Sequence, residues 1–329
     1  MNCYLFFRTD KIGDFLMSSI LLKSIKRNDP NSHITVVASN KNFFFIKKLN
    51  LVDKVIEYPS SPFKRFFFFL NLLKKKYYLS VVLDGKKRSI FNSILSRSNT
   101  RILLTTKKIY KKIFNFFFIS IIHNESYDSK IEEIKKILEI LSFNFNESDL
   151  NILNNEDKLL NKYNNLPAAY GLFHFDEKWI KGKYRDNYTN IEPSIEELVS
   201  FLKRLVDKTN LDLIVSTGAF SNEIVNQLKK EFLSYENNDF RLNYNNKTII
   251  LLTCLPFLSL GYVISKSNLI IGCHGATSHL ASAFHIKIID IYEQSEKSSY
   301  YKWNSHFRKY NVLFRDSFKF LSKKIIDKL

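Results

Sequence analysis

Glycine is scarce in this chain, with 8 among 329 residues. Gly13 follows the first apolar run, but no second glycine lies near enough to build the G-x-G-x-x-G loop of a dinucleotide site, which argues against a dehydrogenase. Cysteine is scarcer still. Cys3, Cys254 and Cys273 form no disulfide framework, so a reducing compartment is expected. There are only 6 prolines. No apolar run reaches the roughly 18 residues of a membrane-crossing helix. Met1 to Phe7 carries no basic segment, and Arg8 arrives too early for a secretory h-region, so no secretory signal is expected. Acidic residues are also short, 32 against 50 basic, for a net charge of +18. A polyanion is the natural partner for such an excess. Zinc-finger spacing, an RNP-like motif and a clear helix-turn-helix are all missing, so nucleic acid is not expected.

An anionic membrane surface is the other polyanion. Phe63-Lys64-Arg65-Phe66-Phe67-Phe68-Phe69-Leu70 continues to Lys74-Lys75-Lys76-Tyr77-Tyr78. Lys107-Lys108-Ile109-Tyr110-Lys111-Lys112-Ile113-Phe114 leads into Phe116-Phe117-Phe118. Both mix lysine with aromatic residues, as interfacial segments do. The alternative is a buried helix or strand with a solvated basic rim.

With 45% hydrophobic and 25% charged residues the composition is that of an ordinary soluble protein, and 329 residues suffice for two domains. Short apolar runs at 4–7, 33–38, 54–58, 79–84 and 101–104, the second of them β-branched, read as strands. Between and after them lie helical patterns at 15–26, 43–49, 63–75 and 129–142. The second half repeats the scheme, with strands at 169–175, 211–216, 248–252, 269–272 and 286–292, and helices at 195–207, 223–232, 257–265 and 280–284. Such alternation predicts mostly parallel sheets covered on both faces. The expected organisation is a first α/β domain over 1–160 and a second over 166–310, with a junction in the Asn- and Asp-rich stretch 144–165. A basic helix in 311–329 is expected to pack back towards the first domain.

Two strand-to-helix turns hold the chemistry. In Arg8-Thr9-Asp10-Lys11-Ile12-Gly13-Asp14 the backbone N–H groups and a carboxylate gather at the carboxyl edge of the first strand, where open α/β sheets bind ligands. Asp14 either caps the following helix or acts as a general base. Gly13 is expected to permit a tight turn and close approach to a ligand, with Arg8 and Lys11 beside it. The second turn is Gly272-Cys273-His274-Gly275-Ala276-Thr277-Ser278-His279, an apolar strand running into small residues. Its N–H groups and a helix N-terminus suit a diphosphate, with Thr277 and Ser278 adding hydroxyls. The alternative is an ordinary connection with a small-residue cap. Lys178, just past the strand at 169–175, is placed either to meet phosphate or to lie solvated. No metal site is expected, since His274 and His279 lack further ligands near by. Ser278 lacks the elbow of a nucleophile.

The opening motif Arg8–Leu16, with Leu21-Leu22-Lys23-Ser24-Ile25-Lys26, Pro30 and the strand at 34–37, resembles the ADP-heptose:lipopolysaccharide heptosyltransferase family, glycosyltransferase family 9. Ser265-Lys266-Ser267-Asn268-Leu269-Ile270-Ile271-Gly272 followed by Ser278-His279-Leu280-Ala281-Ser282-Ala283-Phe284 resembles that family's donor-binding signature. The resemblance implies a GT-B fold, two Rossmann-like parallel-sheet domains facing across a cleft. It implies inverting sugar transfer without metal or cofactor, from a nucleotide-diphospho-sugar, ADP-linked in the family. The acceptor would be a lipopolysaccharide, another glycolipid or an oligosaccharide at the cytoplasmic face of the membrane. On it Asp14 is the base, Lys178 meets the donor phosphates, and the turn Gly275, Ala276, Thr277, Ser278 and His279 holds the diphosphate. The chain departs from the family where Asp-Thr-Gly is usual and His274-Gly275-Ala276 stands here. His274 thus replaces the acidic residue that in the family helps grip the sugar, and the resemblance does not carry heptose as the sugar. Competing expectations are another nucleotide-sugar enzyme, an epimerase or hydrolase, and a non-catalytic protein binding membranes or polyanions.

Overall fold

The computed structural model describes residues 1–126, 128–150, 166–218, 222–234 and 239–329. They form two compact α/β units, each with its own core. The expected junction at 144–165 falls largely outside the described residues.

In the first unit the elements run β1 (Cys3–Arg8), α1 (Ile12–Asn28), β2 (His33–Ala38), α2 (Phe43–Ile46), β3 (Lys54–Glu57), α3 (Pro62–Leu73), β4 (Lys76–Val82), α4 (Lys87–Leu95), β5 (Arg97–Thr105), α5 (Ile109–Phe114), β6 (Ser120–His123) and α6 (Lys130–Ile140). The sheet is entirely parallel, in the order β3-β2-β1-β4-β5-β6. Tyr4 to Phe7 on β1 are buried on both faces, as a central parallel strand requires. This is the order of a doubly wound nucleotide-binding sheet, and its switch point lies between β1 and β4. The crossing from β3 to β4 moves the chain to the other face of the sheet. There Phe68, Leu72, Ile90, Tyr110 and Phe114 of α3, α4 and α5 pack on Leu5, Phe7, Val82 and Leu103. The pair α1 and α6 pack on each other.

In the second unit the elements are β7 (Tyr170–Phe175), α7 (Ile195–Thr209), β8 (Asp212–Thr217), α8 (Glu223–Lys230), β9 (Leu233–Ser234), β10 (Asp239–Tyr244), β11 (Lys247–Leu252), α9 (Phe257–Lys266), β12 (Leu269–Cys273), α10 (Ala276–Ala283), β13 (Lys287–Tyr292), α11 (Lys297–Asn304), β14 (Tyr310–Phe314) and α12 (Phe318–Asp327). The parallel strands run β14-β13-β12-β7-β8-β11, and β10 and β9 extend the edge antiparallel. Counted from β7, the parallel part repeats the order of the first sheet. Its switch point lies between β7 and β12.

Three expectations change. Residues 301–306, expected in the second domain, belong to the first unit. Lys302 bonds the Asn124 carbonyl, and the Trp303 ring lies under the Lys130 ammonium at 4.9 Å. The tail helix, expected to turn back on the first domain, packs on α7 and β14 of the second. Its Phe318, Leu321 and Ile325 repeat at helical spacing and enter that unit's core, with Phe318 set edge-on to Phe201 at 5.5 Å. Each such buried side chain contributes roughly 2 kcal/mol. Finally, α10 begins at Ala276 rather than at 280, so the small-residue run is its first turn and not a loop.

Candidate active site

At the switch point of the first sheet, Arg8 ends β1 with its guanidinium nearly buried. It donates to the Asp14 carbonyl at 3.1 Å, the Leu83 carbonyl at 2.7 Å and Asp10 Oδ2 at 3.1 Å. It thus ties the turn after β1 to the end of β4. Lys86 Nζ sits 2.5 Å from the other Asp10 oxygen and also donates to the Thr9 carbonyl at 2.8 Å. Asp84, just past β4, accepts from the Thr9 amide at 3.2 Å and from the hydroxyls of Thr9 at 2.6 Å and Ser89 at 2.8 Å. The tight turn here belongs to Gly85, at φ +59°. Gly13, expected to supply such a turn, lies inside α1, where the helix asks nothing special of it.

Asp14 occupies the third position of α1. Its Oδ2 accepts from the Lys11 amide at 3.1 Å, which satisfies one free N–H at the helix start. The same half-buried carboxylate lines a cavity of ≈ 180 Å³ with Arg8, Asp10, Asp84, Lys107 and Lys130. The helix cap and a place in the cavity wall therefore coexist. The wall of the cavity is a buried ion pair. Lys130 Nζ lies 2.8 Å from both oxygens of Glu133, and Lys302 Nζ is 3.9 Å away. Burial pushes the Glu133 carboxyl up and the Lys130 ammonium down, and the pairing opposes both.

At the switch point of the second sheet the turns after β7 and β12 meet. Asp176 accepts from the Lys178 amide at 3.1 Å, which starts a short 3₁₀ turn and sends the lysine back over the sheet edge. Lys178 Nζ lies 2.5 Å from Asp176 Oδ2 and 3.5 Å from the Cys273 carbonyl. A Cβ at position 275 would stand 3.0 Å from Nζ, so the lysine rests on the backbone of Gly275, which caps α10. Burial works against the ammonium. The adjoining Asp176 carboxylate outweighs it and raises Lys178 above its ordinary value, while Lys178 holds Asp176 low against its own burial. The first N–H groups of α10 have no acceptor within the helix and end beside this ammonium. Lys178 and the 275 turn, picked out separately in the sequence, are thus neighbours.

His274 Nδ1 lies 2.5 Å from Oδ2 of Asp290, a buried carboxylate on β13. Asp290 also accepts from Ser278 Oγ at 2.8 Å and the Tyr310 hydroxyl at 3.0 Å. The His274 ring is packed edge-on to that of Tyr300, 4.6 Å between centroids. Ser278 turns inward, because its hydroxyl serves Asp290 and accepts the Gly275 amide at 3.3 Å. His279 is buried with its ring 5.2 Å from that of Phe307. The Ser278 hydroxyl, expected to add a bond to the diphosphate, is thus already engaged within the protein. Thr277 is also buried, leaving the backbone of the turn as its polar surface. Cys273 is no nucleophile, since burial pushes its thiol up to about 12. His174 bonds Ser216 Oγ at 2.9 Å, and burial pulls its imidazole down to about 4.

Arg315 went unnoticed in the sequence. Its Nη2 donates to the Lys178 carbonyl at 2.6 Å and Nε to the Thr189 carbonyl at 3.0 Å, while its guanidinium stacks 5.0 Å from the Tyr188 ring. It holds the segment that carries Lys178, Tyr184 and Arg185 around one small recess. Asp290 was missed too, although a lone carboxylate within Lys287–Tyr292 is a readable signal. Among the described residues no group of three or more His, Cys, Asp or Glu is arranged to hold a metal ion.

Two doubly wound parallel sheets in tandem, each with charged residues at its switch point, define the GT-B fold class. Solved structures agree. E. coli heptosyltransferase WaaC with ADP-2-deoxy-2-fluoro heptose matches with a TM-score of 0.69 at 14% identity, over 99% of this chain and 100% of that one. E. coli ADP-heptose lps heptosyltransferase II matches with a TM-score of 0.68 at 13% identity, over 100% and 97%. UDP-GlcNAc 2-epimerase from Methanocaldococcus jannaschii matches with a TM-score of 0.57 at 12% identity, over 100% and 92%. No protein-family model and no curated protein sequence matches the chain. At these identities the likeness is one of fold.

Proposed function

We propose that this protein is an inverting, metal-independent glycosyltransferase. It would move a sugar, heptose or a related one, from a nucleotide-diphospho-sugar to a lipopolysaccharide, lipooligosaccharide or other cell-surface glycan at the cytoplasmic face of the membrane. The observation that carries this reading is the Lys178 ammonium resting on Gly275 at the start of α10, a cation and a helix N-terminus converging at a sheet switch point. Such a cradle suits a diphosphate, and the matching heptosyltransferase structures hold ADP or an ADP-sugar analogue.

In this reading Asp14 takes the acceptor hydroxyl proton as the oxygen attacks the anomeric carbon. The bond from that carbon to the diphosphate breaks, and its electron pair leaves on the diphosphate. Lys178 and the N–H groups of Gly275, Ala276 and Thr277 stabilise the departing charge, as a metal does elsewhere. His274, steadied by Asp290, turns Nε2 towards the donor sugar, and Ser278 and His279 support the turn from beneath. Arg8 and Lys11 shape the acceptor side around Asp14.

The test is a thermal-shift screen of ADP-, UDP-, GDP- and CMP-sugars. Stabilisation follows ligand excess, about 2.7 kcal/mol at a hundredfold excess over Kd. One nucleotide, with ADP the first expectation, should raise Tm in the native protein and not in Lys178→Ala. If no nucleotide sugar shifts either protein, the reading falls. The fold shared with the UDP-GlcNAc 2-epimerase favours a second reading, chemistry on the donor alone. A radiolabelled donor separates the two, since transfer moves label to a glycan acceptor and epimerisation or hydrolysis does not.

A further inference from the structure

The face of the first sheet that carries α3, α4 and α5 is charged and apolar at once. Residues 59–120 hold fourteen Lys and Arg and a single acidic residue, Asp84. That carboxylate is turned inward to Thr9 and Ser89, so it does not offset the field outside. All three helices set one side into the same core through Phe68, Leu72, Ile90, Tyr110 and Phe114. Their other sides, and the turn that follows α5, leave large apolar groups in water. Phe63 is 73% exposed, Phe116 90% and Ile119 63%, with Phe67, Phe91 and Ile113 about half exposed. The three helices adjoin one another. Helix α3 lies beside α4, and Phe91 of α4 meets Phe114 of α5 at 6.5 Å between ring centroids. Exposed lysines surround it, among them Lys64, Lys74, Lys108, Lys111 and Lys112.

Single exposed apolar residues are common on soluble proteins, but several on adjoining helices, interspersed with exposed lysines, mark a binding surface. We propose that this three-helix face docks on an anionic lipid bilayer, with its aromatic and aliphatic side chains in the interface and its lysines on the headgroups. The charge selects the partner class. A second copy would bring the same positive field against itself. Nucleic acid would answer the charge and the rings, but Ile109, Ile113 and Ile119 offer bases nothing to stack on and gain from hydrocarbon instead. No described helix is long and apolar enough to cross a membrane, so the contact is with a surface. This inference rests on the surface alone and stands or falls separately from sugar transfer.

The test is co-sedimentation of the full chain with vesicles of phosphatidylcholine alone or mixed with phosphatidylglycerol, without any sugar donor. The protein should pellet with the anionic vesicles, weakly with the neutral ones, and less as salt rises. The triple variant F63S/F67S/F116S should lose at least about tenfold in vesicle affinity while its Tm stays near the native value, because those rings are outside the core. The variant K108Q/K111Q/K112Q should weaken binding and flatten its salt dependence. Binding that ignores both variants, absence of binding to anionic vesicles, or preferential capture by duplex RNA in competition would each overturn the proposal. A protein that binds vesicles but shifts with no nucleotide sugar would keep this surface and lose the transferase reading.

Discussion

His274, just past β12, and Asp290, within the neighbouring β13, are joined by a 2.5 Å contact from Nδ1 to Oδ2, and the same carboxylate gathers Ser278 and Tyr310. One buried acid therefore holds both the His274 ring and the first turn of α10. Asp290→Ala should strip three buried donors of their acceptor and cost about 3 kcal/mol, read from urea denaturation. Asp290→Asn should retain more of that stability yet raise KM for the donor, because an amide no longer fixes the imidazole. A silent Asp290→Ala would mean that the acid is not the anchor of this turn.

Gly275→Ala tests the contact with Lys178. The new methyl would start 3.0 Å from Nζ and 3.6 Å from Cε, so the ammonium must move. The backbone at 275 is extended, which alanine accepts. Stability should change by under about 1 kcal/mol, while nucleotide-sugar affinity, measured by calorimetry, should fall about tenfold as the charge leaves the helix start. Unchanged affinity would separate Lys178 from the phosphates.

Stability should also fall in mild acid. Burial pulls His174 from 6.5 to about 4, so between those values the unfolded chain binds a proton that the folded chain refuses. The contribution of this group is complete above pH 6.5 and lost progressively as pH drops towards 4, a total of roughly 3 kcal/mol. His306, pulled to about 4 by its own burial, adds the same sign. Urea midpoints at pH 7 and pH 5 should show the loss, and His174→Asn should remove about half of it. A flat profile in the native protein would contradict the neutral, buried state of both rings.

The periodic parts of the fold were legible in the sequence, and the edges were not. Val36 and Val37 or Ile270 and Ile271 announce central parallel strands because burial on both faces demands continuous apolar residues. Strand β6 follows the Phe116-Phe117-Phe118 run, which hides its start, and β14 is a short edge strand, Tyr310–Phe314, with only Leu313 buried. The tail helix was visible as amphipathic, but its partner was not, because Phe318 matches any apolar groove until α7 is in place. At the site, Asp14, Lys178 and Gly275 were readable from their places after strands. Asp10, Asp84, Asp290 and Arg315 were not singled out, since each acts on residues far along the chain. The inward turn of Ser278 follows from α10 starting four residues earlier than the apolar pattern indicates, which puts that hydroxyl over Asp290.

The central claim is that the Asp14 carboxylate removes the acceptor proton during sugar transfer. Asn at position 14 keeps an oxygen to accept the Lys11 amide, so the cap and the fold should survive. The decisive measurement is turnover of Asp14→Asn with the donor found in the thermal screen and a glycan acceptor, alongside its Tm and donor affinity. The account predicts a loss of about a hundredfold or more in kcat with Tm and donor binding unchanged. Turnover within a few-fold of native would contradict it and leave Asp14 as a helix cap alone.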